Sequence, residues 1–338
     1  MTTDTAGSAR RIGSGLFDSP PVAAAVEIAR DRVAAVSLTD GHGEAVISAY
    51  AFEPLDKAVL EPALNAPNVH DAASLAAAVQ GALEKVAPRA RRIALVVPDT
   101  AAKVSLVRFE KVPARAQDLD QLIRWQVRKA APFKIDDAQV SWVPGVELPG
   151  GGREFLVTMA RRDVIEGYEQ ACESAGVHPG VVDLATFNVV NTVLASGGPA
   201  AGDWLLVHVA FDYVTLAVVR GADLVFFRNR PTAEDAELTD LVHQTAMYHE
   251  DRLGGGGFSR VVLAGAWVRG VDTAERLKRA IEERVSVRVE PVDFTGAATL
   301  RDRISANPAL LDVLAPAVGV LLRERAPRRA TQPAGMGA

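Results

Sequence analysis

Six histidines, one cysteine and a run of four glycines are the first places to look for chemistry in this chain. His243 and His249 stand six residues apart, so a helix would point them to different faces. No cysteine or carboxylate set accompanies them at metal-ligand spacing. Cys172 has no histidine near it in sequence, and a packing role is its default. A lone cysteine excludes an intrachain disulfide and fits a reducing compartment. The glycines at 254–257 lack the Lys-Ser/Thr of a phosphate loop and do not follow G-x-G-x-x-G, so they read as a loop after a helix. No G-x-S-x-G stretch is present. What remains is polar residues at the ends of apolar runs, Glu27 and Arg30 in one place and His208 in another. Their chemistry depends on the elements that bring them together.

The chain has 338 residues, 49% hydrophobic and 23% charged, enough for two lobes or two to three domains. A net charge of -5 gives no reason to expect nucleic-acid binding. There is no basic start followed by a short apolar core, and no run of about 18 apolar residues. A membrane role therefore has to run through a partner, without direct insertion. Residues 1–20 are rich in Ser, Gly, Thr and Ala, and residues 326–338 are basic and then Pro/Gly-rich; both read as flexible ends.

The body alternates strands and helices. Residues 22–28, 33–38 and 45–52 read as three strands with a turn at 40–43. Residues 72–86 make a helix with Leu75, Val79, Ala82 and Val86 on one face, and 93–97 a short buried strand ended by Pro98 and Asp99. The same order returns later: strands at 205–209, 214–219 and 224–228, a helix at 235–253, and a strand at 261–265. Thr232 with Asp235 resembles a capping box at that helix start. Residue identities follow the pattern. Val26, Ala29, Asp31 and Val33 recur as Val207, Ala210, Asp212 and Val214, each 181 positions on. A duplicated unit of three-strand meander, helix, strand and helix is the plan of the actin/Hsp70/sugar-kinase fold. The fold class is therefore α/β, duplicated and two-lobed, with a first lobe at 21–100 that continues at 184–200 and 314–325. The second lobe spans 201–313. Between them, 101–183 reads as an inserted α+β subdomain with strands at 104–109, 138–144 and 155–160 and helices at 119–130 and 163–175.

The insert carries a family resemblance. The run LDQLIRWQVRKAAPFKIDDAQVSW, residues 119–142, resembles the helix, Pro-Phe turn and strand of the type IV pilus assembly protein PilM family. FLVTMARRDVIEGYEQACESAGVHPGVVDLATFNVVN, residues 155–191, is similar to that family's next strand, helix and strand. HVAFDYVTLAVVRGADLVFFRNRP at 208–231, RVVLAGAW at 260–267 and NPALLDVLAPAVGVLLR at 307–323 resemble its second phosphate hairpin, adenosine-site strand and closing helix. The resemblance covers about residues 21 to 325. It implies an actin-like fold with a 1C-type insert, like that of the division protein FtsA. It also implies work on the cytoplasmic face of a pilus machine, recruited to the inner membrane by gripping the N-terminal tail of a PilN-like protein and contacting other platform or motor components.

Set against that family, the nucleotide motifs are degenerate. Actin-like ATPases hold phosphates with two Asp-x-Gly hairpins, whose glycine lets backbone N–H groups approach and whose Asp positions Mg²⁺ through water. Here the first reads Glu27-Ile28-Ala29-Arg30 and the second His208-Val209-Ala210-Phe211, followed by Tyr213 and Val214 where small hydroxyl residues are usual. The family's Gly-Gly-Gly near adenine is Gly265-Ala266-Trp267, and the indole is expected to crowd adenosine. The expectation is a pseudo-ATPase with no cofactor, ATP with Mg²⁺ being the alternative. The rival readings are a working ATPase of the same machinery, a GspL-like type II secretion component and an FtsA-like protein. Trp125 lies off the apolar stripe of its helix; with Leu122 and Phe133 it is expected to wall a peptide groove between the insert and the first lobe.

Overall fold

The computed structural model describes residues 22–41, 44–197, 202–232, 235–301 and 306–326. Apart from Ala326, the ends expected to be flexible lie outside those residues. The chain opens with β1 (Ala24–Ile28), β2 (Arg32–Gly41) and β3 (Glu44–Pro54) as an antiparallel meander. Helix α1 (Ala72–Val86) starts at Asp71, whose carboxylate accepts the Ser74 amide at 3.0 Å and so caps a free N-terminal donor. It buries Leu75, Val79, Ala82, Leu83 and Val86, the face expected from the 3.6-residue period. Strand β4 (Arg92–Val97) returns parallel to β1.

The insert follows as β5 (Ala102–Phe109), α2 (Ala116–Arg128), β6 (Ala138–Glu147) and β7 (Arg153–Arg161), a separate sheet in the order β5-β7-β6. Next come α3 (Arg162–Ser174), β8 (His178–Leu184) and α4 (Ala185–Gly197). The second half repeats the plan with β9 (Asp203–Val209), β10 (Tyr213–Arg220), β11 (Asp223–Pro231), α5 (Asp235–Leu253), β12 (Arg260–Ala264), α6 (Val271–Val285) and β13 (Val289–Pro291). A three-residue strand β14 (Ala298–Leu300) and the helix α7 (Pro308–Arg325) close the chain.

Two sheets of matching order result, β14-β3-β2-β1-β4-β8 and β11-β10-β9-β12-β13. Their central strands are apolar and buried on both faces, as a sheet covered by helices on both sides requires. The duplication extends to single hydrogen bonds. Ala29 N donates to Arg32 O at 2.9 Å, and 181 residues later Ala210 N donates to Tyr213 O at 2.9 Å. One core, containing Ala25, Val36, Val189, Leu206, Ala217, Val262, Leu314 and Val318, lies between the two sheets and is filled largely by α4 and α7. The outer faces are covered separately, by α1 and α3 on the first sheet and by α5 and α6 on the second.

Two boundaries differ from the sequence reading. Helix α3 puts Val164, Tyr168, Ala171 and Cys172 into the α1 core, and β8 pairs with β4, so both belong to the first lobe and the separate insert ends at 161. Strand β14, inside the stretch read as second lobe, pairs parallel with β3 of the first. The Thr232 hydroxyl donates to the Phe211 carbonyl at 3.3 Å, a bond that ties the end of β11 to the β9–β10 turn.

Candidate functional site

The β1–β2 and β9–β10 turns face each other across the cleft between the lobes, which puts Glu27, Ala29, Arg30, His208 and Ala210 together, with Gly265 beside them. The space they enclose is small, about 60 Å³. Arg30 from the first turn meets Asp212 from the second at 3.6 Å. Arg32 reaches Glu27 at 3.5 Å, inside the first lobe. Arg269 donates to the Ala210 carbonyl at 2.6 Å. These contacts occupy the ground on which the two turns of an actin-like ATPase hold phosphates.

Behind the turns lies a buried polar network that joins the lobes. Asp99, fully buried, follows β4 in a short 3₁₀ turn. It accepts from the Thr186 amide at 3.0 Å, from the Thr186 hydroxyl, and from the Thr215 hydroxyl at 2.6 Å. Asn229 donates to Thr215 Oγ1 at 2.8 Å, and His208 Nδ1 lies 2.7 Å from Thr186 Oγ1. The Thr186 hydroxyl has one proton and gives it to Asp99, so it accepts from His208, which places a proton on Nδ1. Burial, and then the charge of Arg32, push the His208 pKa down to about 3, which favours the neutral ring. Asp99 and Glu27 are each pushed up to about 6, chiefly by burial.

A third buried carboxylate, Asp312 of α7, accepts the Trp267 amide at 2.8 Å across the lobe boundary. Burial pushes it up to about 7. The folded protein therefore holds that proton more tightly than the unfolded chain. Stability from protonated Asp312 is full below about pH 4 and is lost as pH rises through about 7. Asp312→Asn removes this titration and keeps an acceptor oxygen. Its melting temperature relative to the parent is expected to climb between about pH 5 and about pH 8. A constant difference across that window would show that Asp312 does not carry the effect.

Trp267 corrects the sequence reading. Its ring is buried in the second-lobe core with Ala266, Leu263 and Ala274, not in the cleft. The residue starts a 3₁₀ turn that rotates the side chain inward. What limits the cleft is the set of arginine and carboxylate side chains described above. The space between the turns, about 60 Å³, is below the roughly 300 Å³ at which small-molecule sites begin.

A second cavity, about 520 Å³, lies where the insert, the first lobe and one hairpin of the second lobe meet. Strand alternation decides its lining. Phe155, Val157 and Met159 of β7, with Ala138 and Val140 of β6, face α2 and make the insert core. The alternate residues Leu156, Thr158 and Ala160, with Gln139, Ser141 and Val143, face the other way into the cavity. Opposite them stand Val182, Leu184, Phe187 and Leu194, and the β10–β11 turn closes one side with Ala222 and Leu224. Among the described residues both β6 and β8 are edge strands of their sheets, so two strand edges without a partner there flank the cavity.

The residues expected to wall a peptide groove are elsewhere. Leu122, Trp125 and Phe133 lie on the α2 side of the insert sheet, away from this cavity. Trp125 is 60% exposed and carries the Lys129 ammonium over its ring at 5.6 Å. The helical stripe placed the indole off the core; Phe133 borders a depression shared with Asn65, Asp163 and Glu166, and Trp125 one shared with Arg162, where the α2 side of the insert meets the first lobe.

Two duplicated β-β-β-α-β-α halves, with facing turns over a central cleft and an insert after the fourth strand, define an actin-like two-lobed protein. The sequence profile of the family described as type IV pilus assembly protein PilM matches residues 25–252, more than half of the chain. The chain belongs to that family. Among solved structures, a chain from the "PilM-PilN type IV pilus biogenesis complex" superposes with TM-score 0.77 at 19% identity, covering 91% of this chain and 100% of that one. The ethanolamine utilization protein EutJ from Carboxydothermus hydrogenoformans gives 0.47 at 12% identity, with 90% of each chain covered. The cytoplasmic domain of EpsL, an inner-membrane component of the Vibrio cholerae type II secretion system, gives 0.46 at 8%, covering 89% and 93%. No curated protein matches the sequence.

Proposed function

We propose that this chain is a scaffold of a type IV pilus assembly platform and holds the N-terminal tail of a PilN-like inner-membrane protein in the 520 Å³ cavity. The observation that carries this reading is the cavity's build: apolar walls between two strand edges, β6 and β8, without a partner among the described residues. An extended peptide can pair its backbone with such an edge and place alternate side chains in the apolar pocket. Its volume falls in the roughly 300–1,000 Å³ range of formed ligand sites. No described helix is long and apolar enough to cross a membrane, so the reading has the tail bring the protein to the inner-membrane surface. The test is titration with a labelled synthetic peptide of the partner's N-terminal segment. Thr158→Trp, which fills the cavity from β7, should cost about 2 kcal/mol or more, roughly thirtyfold in affinity. Trp125→Ala, on the far side of the insert, should leave affinity unchanged. The reverse pattern would move the tail to the α2 face, and no binding by the parent protein would remove the proposal.

The same proposal includes a cleft that neither binds nor hydrolyses ATP. Ala29 and Ala210 stand where backbone approach asks for glycine, and the Arg30–Asp212 pair bridges the two turns. Millimolar ATP with Mg²⁺ is expected to leave the melting temperature unmoved. A hundredfold excess over Kd would stabilise the fold by about 2.7 kcal/mol, so a clear upward shift would favour the rival reading of a working ATPase.

A further inference from the structure

We propose that Asp99, buried in the cleft, positions the second-lobe wall of the cavity and so sets affinity for the tail; this rests on the reading that the cavity holds the tail. Asp99 touches no residue of the cavity's second-lobe wall directly. It holds Thr215 of β10 at 2.6 Å, and Thr215 takes a hydrogen bond from Asn229 of β11 at 2.8 Å. Those two strands run from the cleft to the turn that closes the cavity. Thr215 and Arg220 are five residues apart on β10, a span of about 17 Å. On β11 the ring of Phe227 meets Phe187 edge-on, 5.4 Å between centroids. Phe187 lines the cavity and directly follows Thr186, the other partner of Asp99. One carboxylate thus grips both the helix start that carries Phe187 and the strand pair that carries Leu224. The insert adds a third contact, because β11 also packs against β5 and β6.

The shared acceptor makes the cavity's shape depend on how the lobes are docked. If Thr215 lets go, the β10–β11 hairpin keeps its pairing with β9 and the Arg220–Asp203 ion pair at its far end, but loses the bond that ties it to Asp99 and the start of α4. In an actin-like ATPase a bound nucleotide can bridge the lobes; here protein side chains make that bridge themselves, through Asp99 with Thr215 and through Asp312 with the Trp267 amide.

Thr215→Val keeps the shape of the side chain and removes the hydroxyl, while Thr215→Ser restores it. The valine variant is expected to bind the labelled tail peptide about tenfold more weakly, the worth of one buried hydrogen bond, and the serine variant to return toward the parent. Hydrogen exchange without peptide supplies an independent readout. Amides of the β10–β11 hairpin should exchange faster in Thr215→Val, with those of α1 and α6 unchanged. A merely structural loss would speed exchange evenly, and that result, or equal peptide affinity in parent and valine variant, overturns the positioning role. If the parent binds no peptide, the tail reading fails, and an even exchange profile would then reject the control of the hairpin by Asp99 as well.

Discussion

Gly319→Val should cost about 3 kcal/mol or more of folding stability, and soluble protein from this variant should be scarce. Helices α4 and α7 cross in the core between the two sheets, and Gly319 lies at their contact. A Cβ at 319 would land on the Asn188 carbonyl oxygen, well inside van der Waals distance, with Thr192 Oγ1 also in the way. Neither neighbour can yield cheaply. Asn188 Nδ2 bonds to the Leu184 carbonyl at 2.8 Å, and Thr192 Oγ1 to the Ala315 carbonyl at 2.8 Å. The two helices would have to separate and open a void along the shared core. Urea unfolding measures the loss. A midpoint within experimental error of the parent would mean that the crossing is looser than this packing implies.

Asp99→Ala is expected to cost about 3–5 kcal/mol, the second large effect. It leaves the Thr186 amide and the Thr186 and Thr215 hydroxyls without their buried acceptor, and each orphaned donor carries a penalty of about 1–3 kcal/mol. Asp99→Asn retains an acceptor for the Thr186 amide and should lose less. Equal unfolding midpoints for the alanine and asparagine variants would show that the hydrogen bonds are not the source of the cost.

Much of the fold was legible because local period and global repeat agree. Helices α1 and α5 have the bounds their apolar spacing predicts, and the residues recurring 181 positions apart occupy equivalent strand and turn positions. The assignment of α3 and β8 was not legible. Their patterns fix a helix and a strand but not the sheet they join, and β8 finds its partner β4 across more than 80 residues. The turns of the cleft were visible as motifs, whereas Asp99 and Asp312 were not. Each is a single acidic residue whose donors come from distant parts of the chain, and local sequence offers no sign of such a meeting. Only in the fold does Asp99 stand out, beginning a 3₁₀ turn after β4 at the position that Trp267 takes after β12. The cavity was missed for a different reason. Its lining alternates along β6 and β7 with the insert core, and a period of two shows that a strand has two faces without showing what covers the second.

The short strand β14 and the helix α7 have a consequence for biosynthesis. The first lobe begins at the N-terminal end of the described chain, yet its sheet takes its outermost strand from 298–300 and its core takes Leu314, Val318 and Leu321 from α7. A nascent chain that has emerged through β4 lacks both. At about 5–20 residues per second, the remaining chain takes roughly ten seconds or more to arrive. Over that interval α4 can cover part of the apolar inner face of β1, β2 and β4, while the part that α7 covers in the folded protein stays open. The first lobe is therefore begun early and completed late, and protection of its exposed strands during synthesis is the demand that this topology creates.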